Sequence, residues 1–384
     1  MKIPLLSSAN GKPAPYLYFV NATVDHFFIG GVTIFTFLLL SLIYNLGYTD
    51  KTWIYSMAAA LVWIFNWPHF AATSYRLYHS KENIAQYPIT AKIVPLLLIV
   101  AVLICFALPQ SVAPSFIAFY LFWSGYHFCG QSVGITMIYA RRAGFVVGRL
   151  ERLALSGFIF STFILGAVQA NIGLNDRAYY GLKYSSLNLP HFTVYCAVAI
   201  LLVCGVTSLG LLVRWSLLNN RLLPTIVFLP AITQFFWFVY GWGGNAHPGF
   251  YELVPFFHSL QYLLIAWMMQ LKEKMDLQQI EPSSRFVFKE SFRWGIIIFI
   301  GGAFLFWLLP KSATLGGYDS QIATPIVIAA VQIHHFFVDG VIWKLKNSKV
   351  SSPLLVNIEQ IIHHPSKINA QIAHPTAQTA HQET

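Results

Sequence analysis

The chain is poor in charge: of 384 residues only 10% are Asp, Glu, Lys or Arg, where soluble globular proteins carry about 25%. That shortage excludes an ordinary water-soluble domain. Cysteine is scarce as well. Cys105, Cys129, Cys196 and Cys204 fall in apolar runs without a Cys-x-x-Cys spacing, so neither a disulfide framework nor a thiolate metal site is expected. Acidic residues number 14 against 24 basic ones, a net charge of +10. The basic residues are scattered along the whole chain, however, and form no patch of the kind that binds nucleic acid. The glycine-rich stretch Gly241-Trp242-Gly243-Gly244 follows no strand pattern, which excludes a phosphate cradle. Ahead of residue 27 there is no apolar leader core, and Pro13 and Pro15 interrupt the segment, so no cleaved leader is expected.

What the chain has instead is long apolar runs, with 56% hydrophobic residues. Crossing ~30 Å of hydrocarbon takes about 20 helical residues. On that criterion the sequence predicts about ten spans, at roughly 27–46, 54–74, 92–108, 115–139, 153–172, 192–213, 222–241, 251–271, 293–309 and 323–344. Lys and Arg accumulate on the cytoplasmic side of membrane proteins. With ten spans, all 24 except Lys51, Arg177, Lys183 and Lys311 fall on the side that holds both termini. The expected architecture is therefore an all-α polytopic helix bundle with both termini cytoplasmic. A single transmembrane domain covers 1–344, and a polar, flexible cytoplasmic tail covers 345–384. The lipid bilayer is its first partner, in all expectation a bacterial inner membrane, and the net positive charge follows from orientation and from anionic headgroups.

Histidine is the exception within these runs. His69, His127, His258, His334 and His335 are each flanked by apolar sequence, in the second, fourth, eighth and tenth expected spans. An imidazole in hydrocarbon must find a partner or a cavity, which makes it a functional candidate by default. All four spans run in the same direction. Their spacing would suit a duplication, but NWPHF, SGYHFCGQ, PFFHSLQY and VQIHHFFVDG are too dissimilar to establish one.

In the tenth span His335 and Asp339 are four residues apart and share a helical face. An Asp at mid-span costs roughly 2.5–3.5 kcal/mol. Asp339 is expected either to bind metal directly, to hold a ligating imidazole by a hydrogen bond, or to pair with Lys344. His334 points about 100° away from its neighbour. In the fourth span His127 and Gln131 share a face, and Gln131 is a candidate for orienting the ring; a plain helix–helix polar contact is the alternative. Pro68 and Pro255 stand beside His69 and His258, where a missing N–H should open the helix and free carbonyls. Counted along straight spans, His127, His334 and His335 lie near the midplane, His69 and Asp339 in the cytoplasmic third and His258 in the outer third. Convergence of every one of them on a single ion is not expected. His79 reads as an interfacial residue with Tyr75 and Tyr78, His26 and His191 as ordinary span ends. His247 lies in a tight, re-entrant loop, and His363, His364, His374 and His381 are solvated tail residues.

Imidazoles with a carboxylate suit Fe, Zn, Cu or Ni. The pattern resembles the histidine-rich polytopic membrane oxygenases, such as the bacterial carotenoid-cleaving dioxygenase family. It does so by residue type at His69, His127, His258 and His334–His335, over the second, fourth, eighth and tenth spans. The resemblance implies non-haem iron held by imidazoles inside a helical bundle. Membrane fatty-acid desaturases are a poorer match, because their HxxxH and HxxHH boxes lie at cytosolic helix ends, whereas His334-His335 is mid-span without the upstream histidine. The leading expectation is a membrane oxidoreductase acting on a lipophilic small molecule. Its metal ligands would come from His69, His127, His258, His334 and His335, with Gln131 and Asp339 beside them. A bis-histidine haem protein exchanging electrons with quinone, and a proton-coupled transporter using Asp339 and the histidines as a relay, are the alternatives.

Overall fold

The computed structural model describes residues 16–48, 50–145, 147–239, 249–343 and 353–363. Among them the helices are α1 (Ala22–Asn45), α2 (Thr52–Leu61), α3 (Trp67–Tyr78), α4 (Lys81–Gln86), α5 (Ile89–Ala107), α6 (Ala113–Arg142) and α7 (Arg149–Ala170). They continue as α8 (Phe192–Asn219), α9 (Leu229–Phe238), α10 (Val254–Gln278), α11 (Ser284–Leu315), α12 (Ser320–Ile342) and the short α13 (Glu359–Ile362). The segment 173–190, expected as a loop, holds an antiparallel hairpin of β1 (Asp176–Tyr179) and β2 (Leu182–Ser185). Its two-residue turn is Tyr180-Gly181, both at positive φ (49° and 91°), the conformation that matches strand twist in tight hairpins.

Six helices, α1, α5, α7, α8, α11 and α12, are long and apolar enough to cross a membrane, and they coincide with six of the expected spans. The chain is thus an all-α integral membrane protein. The four other expected spans are helical too, as α2–α3, α6, α9 and α10, but stand outside that set. α9 has 10 residues, only about 15 Å of helix. The other three carry the polar side chains of the site described below, which dilute their own hydropathy. Burial separates the layers: 22% of the most apolar stretch of α5, α8 and α11 is buried, against 56% in α12. α12 is therefore a central helix, packed against α3 and α6.

Proline shapes the helices in a specific way. Of the four π-helical turns among the described residues, Val62–Asn66, Ile89–Ile93 and Phe304–Leu308 are each followed two residues later by a proline, Pro68, Pro95 and Pro310, while Phe27–Gly31 in α1 is not. A proline ring collides with the carbonyl four residues back and has no N–H to offer it. Widening the preceding turn by one residue relieves both problems. Pro255 behaves differently from the expected kink, because α10 begins at Val254 and Pro255 sits in its first turn, where a missing N–H costs nothing. The 272–292 segment is divided between the end of α10 and the start of α11. The break falls at Gln279, in the left-handed region at φ 50°, and Ser283 caps α11 by accepting from the Phe286 N–H at 3.2 Å.

Two buried charged residues, each satisfied by its own hydrogen bonds, close one end of the bundle. Arg142, at the end of α6 and fully buried, donates to the carbonyls of Leu17 (2.9 Å), Tyr18 (2.6 Å), Leu354 (2.6 Å) and Val356 (3.4 Å). Its guanidinium lies 4.2 Å from the Phe19 ring centre. Fully buried Asp25 accepts from the N–H groups of Phe19 (2.6 Å) and Val20 (3.0 Å) and from the Tyr139 hydroxyl (2.8 Å). Two chain segments more than 300 residues apart are tied to one helix end in this way.

Candidate metal centre

His69 on α3, His127 on α6, His258 on α10 and His335 on α12 come together in the bundle interior. One ring nitrogen from each lies within 4.8 Å of all the others. The group is shut off from solvent: His69, His258 and His335 are at most 1% exposed and His127 9%. The His335 Nε2 stands 3.1 Å from the Nε2 of His69 and 3.1 Å from the Nε2 of His127. Nitrogens bound to one ion at about 2.0–2.1 Å are themselves about 3 Å apart, so these spacings suit ligands of a common ion.

Hydrogen-bond accounting fixes one tautomer. The Ser259 hydroxyl donates to the Pro255 carbonyl at 2.6 Å and accepts from the Asn66 Nδ2 at 2.9 Å. Its remaining lone pair faces His69 Nδ1 at 3.1 Å, which must therefore carry the proton. His69 Nε2 is left with a lone pair aimed at the centre. Hydrogen bonds between the rings do not account for the rest, since His335 Nδ1 and both nitrogens of His258 are buried without a partner among the described residues. Buried polar atoms are normally satisfied, and an orphaned imidazole in an apolar interior costs about 1–3 kcal/mol. A metal ion would resolve that cost at His258.

Asp339 completes the arrangement. Its Oδ2 lies 3.3 Å from His335 Nε2 and 3.6 Å from His127 Nε2. Its Oδ1 accepts from Thr73 Oγ1 and from Trp343 Nε1, both at 3.1 Å. Because the Thr73 proton goes to Asp339, the 2.5 Å contact between Thr73 and Tyr262 has the Tyr262 hydroxyl as donor. Tyr262 in turn stacks on the His69 ring, centroids 4.2 Å apart at 10°. One carboxylate oxygen is thus saturated by the protein, and the other is turned to the imidazole nitrogens. This geometry accommodates both roles open to Asp339, ligand and hydrogen-bond acceptor. Lys344, the alternative partner, lies outside the described residues, as do His247, His364, His374 and His381.

Two expected participants are elsewhere. His334 is not brought into the group: it lies one helical step round from His335, and its Nε2 donates to the Tyr78 hydroxyl at 3.0 Å, because that hydroxyl gives its own proton to the Ala91 carbonyl. Gln131 does not orient His127. Its Nε2 donates to the His258 carbonyl at 2.9 Å, so it holds the backbone of a different ligand. The carbonyl of Pro255 is not free either, being taken by Ser259 and Asn66. His79 stacks on Tyr75 at 5.0 Å. His26 bonds to Ala22 and Thr225, His191 stands at the start of α8, and His363 pairs with Glu359.

The bridging residues Thr73, Tyr262, Trp343, Ser259 and Asn66 were given no role by the sequence. A signal existed for three of them: Thr73 follows His69, Tyr262 follows His258 and Trp343 follows Asp339 by four residues, hence on the same face. The depth mismatch also disappears. A π turn precedes His69, and α10 opens only four residues before His258, so residue count along a straight span is no measure of depth here.

No protein-family model, curated protein or solved structure matches this chain, and the site is read from its own geometry.

Proposed function

We propose that the protein is a membrane oxidoreductase in which His69, His127, His258 and His335 hold a non-haem iron, acting on a lipophilic substrate. The observation that carries the reading is the partnerless pair of nitrogens on His258, buried against three imidazole nitrogens already at ligand spacing. Imidazole donors suit iron among the transition metals. Four neutral rings bring no charge, so the Asp339 carboxylate beside them offsets part of the charge of a divalent cation. The ion, when bound, supplies dioxygen chemistry in an apolar interior. The chain's own residues aim the ligands: Ser259 orients His69, Gln131 anchors the His258 backbone, and Thr73 with Trp343 fixes Asp339. We further read the chain as ten crossings with both termini cytoplasmic in a bacterial inner membrane, on the Lys and Arg asymmetry.

A haem between two of these histidines is disfavoured by the same distances. Ligands on opposite faces of a macrocycle stand about 4 Å apart, two metal–nitrogen bonds of about 2 Å each. The 3.1 Å contacts of His335, with a fourth ring against them, leave no slot for a porphyrin. The deciding experiment is elemental analysis and absorption spectroscopy of detergent-purified protein. About one iron per chain without a Soret band is expected. A Soret band, or protein free of metal after expression in iron-replete medium, would overturn the reading.

A further inference from the structure

A cavity of about 270 Å³ lies beside the four histidines, between α6, α10 and α12. One end is polar, where His127, Tyr262 and Asp339 reach its wall. The rest is lined by large apolar side chains, among them buried Ile138, Ile265 and Phe336. Gly130 and Gly134 of α6 and Gly340 of α12 complete the lining. A Cβ built on any of the three meets no atom within 4 Å, so these glycines border open space and not a helix–helix contact.

The flank where they sit is accessible from outside. Gly130 and Gly340 are exposed, and Tyr126, one turn before Gly130 on the same face, is 53% exposed. Tyr126, Gly130 and Gly134 recur at four-residue intervals along one face of α6, between the middle of the expected span 115–139 and its cytoplasmic end. An opening at that depth faces hydrocarbon and not water.

We propose that this cavity is a binding slot for a slender, apolar lipid-soluble molecule that enters sideways from the bilayer through the gap at Gly130, Gly134 and Gly340. The inference rests on the membrane reading above and gives the lipophilic substrate its place, with its reacting end against His127 and Asp339. Side chains at the three glycine positions set the width of the entrance. Because nothing packs there, a larger residue fills the slot without displacing a neighbour, and the fold tolerates it.

The test uses the full-length protein in lipid vesicles containing a trace of a long-chain alkane carrying a diazirine, irradiated and mapped by peptide mass spectrometry. Label is expected on buried Ile138, Ile265 and Phe336. In Gly134→Leu, and independently in Gly340→Leu, that label falls to background while bound iron stays at the wild-type level. Label confined to the outward faces of helices such as α8, or unchanged label at Ile138 and Phe336 in both variants, overturns the proposal. The metal content of the wild-type protein, measured alongside the label, separates the two readings. If wild-type protein holds no metal yet the glycine variants still lose label, the slot stands and the iron reading fails; if iron is present but the glycines change nothing, the slot fails alone.

Discussion

α6 carries two buried polar centres, and they are built on opposite plans. At its end, the Arg142 guanidinium turns its N–H groups to four carbonyls and lays its face on Phe19, while Asp25 is met by three donors. Every charge there has been given a partner by the chain. Fifteen residues earlier, His127 joins a group in which His258 has no partner at either nitrogen and His335 none at Nδ1. A burial that satisfies all its polar atoms stabilises a fold; one that leaves convergent lone pairs open is arranged for something from outside. Saturation, and not burial or charge, distinguishes the structural centre from the candidate metal centre.

That contrast can be broken by substitution. The largest effect is expected from His335→Ala, whose Nε2 touches two other ligands: bound metal should fall from about one per chain to background, measured by elemental analysis. Retained metal would place the ion elsewhere. Arg142→Met should act only on stability. It leaves the carbonyls of Leu17, Tyr18 and Leu354 without their donor and should cost about 1–3 kcal/mol for each carbonyl left buried and unpaired, read as a lowered midpoint in detergent unfolding, with unchanged metal in the folded fraction. Metal loss in that variant would erase the distinction between the two centres. Ser259→Ala removes the acceptor that fixes the His69 tautomer, together with its bonds to Pro255 and Asn66, and should weaken metal binding about 10- to 100-fold in a competition titration with a chelator. The smallest effect belongs to His334→Phe. Metal content should not change, since that ring serves Tyr78 on the far face; a loss of metal would return His334 to the ligand set.

Much of this was legible in the letters. Apolar runs located the helices, and six of them meet the membrane criterion on length and composition alone. The three long helices that do not, α2–α3, α6 and α10, are those that carry His69, His127 and His258. α12 also carries site residues, His335 and Asp339, yet still meets the criterion, because the rest of it is apolar enough. The four-residue spacing of His335 and Asp339 correctly put both on one face. For Gln131 the same spacing misled, because a glutamine long enough to reach its neighbour on the helix also reaches the carbonyl of His258 across it. The hairpin at 176–185 went unread because its strands are four residues each and its burial alternates only weakly.

From sequence alone came the helical class, the histidines set in apolar runs and the pairing of faces within each helix. Hydropathy and the 3.6-residue period are local properties, written within a single segment. Only the folded bundle decided that four histidines meet while the fifth, adjacent in the chain, turns to Tyr78. The contact between His69 and His335 joins residues 266 apart, and its existence depends on the rotation of each helix about its axis and on the π turn ahead of His69. Neither is encoded by spacing within a segment; both emerge when the helices pack.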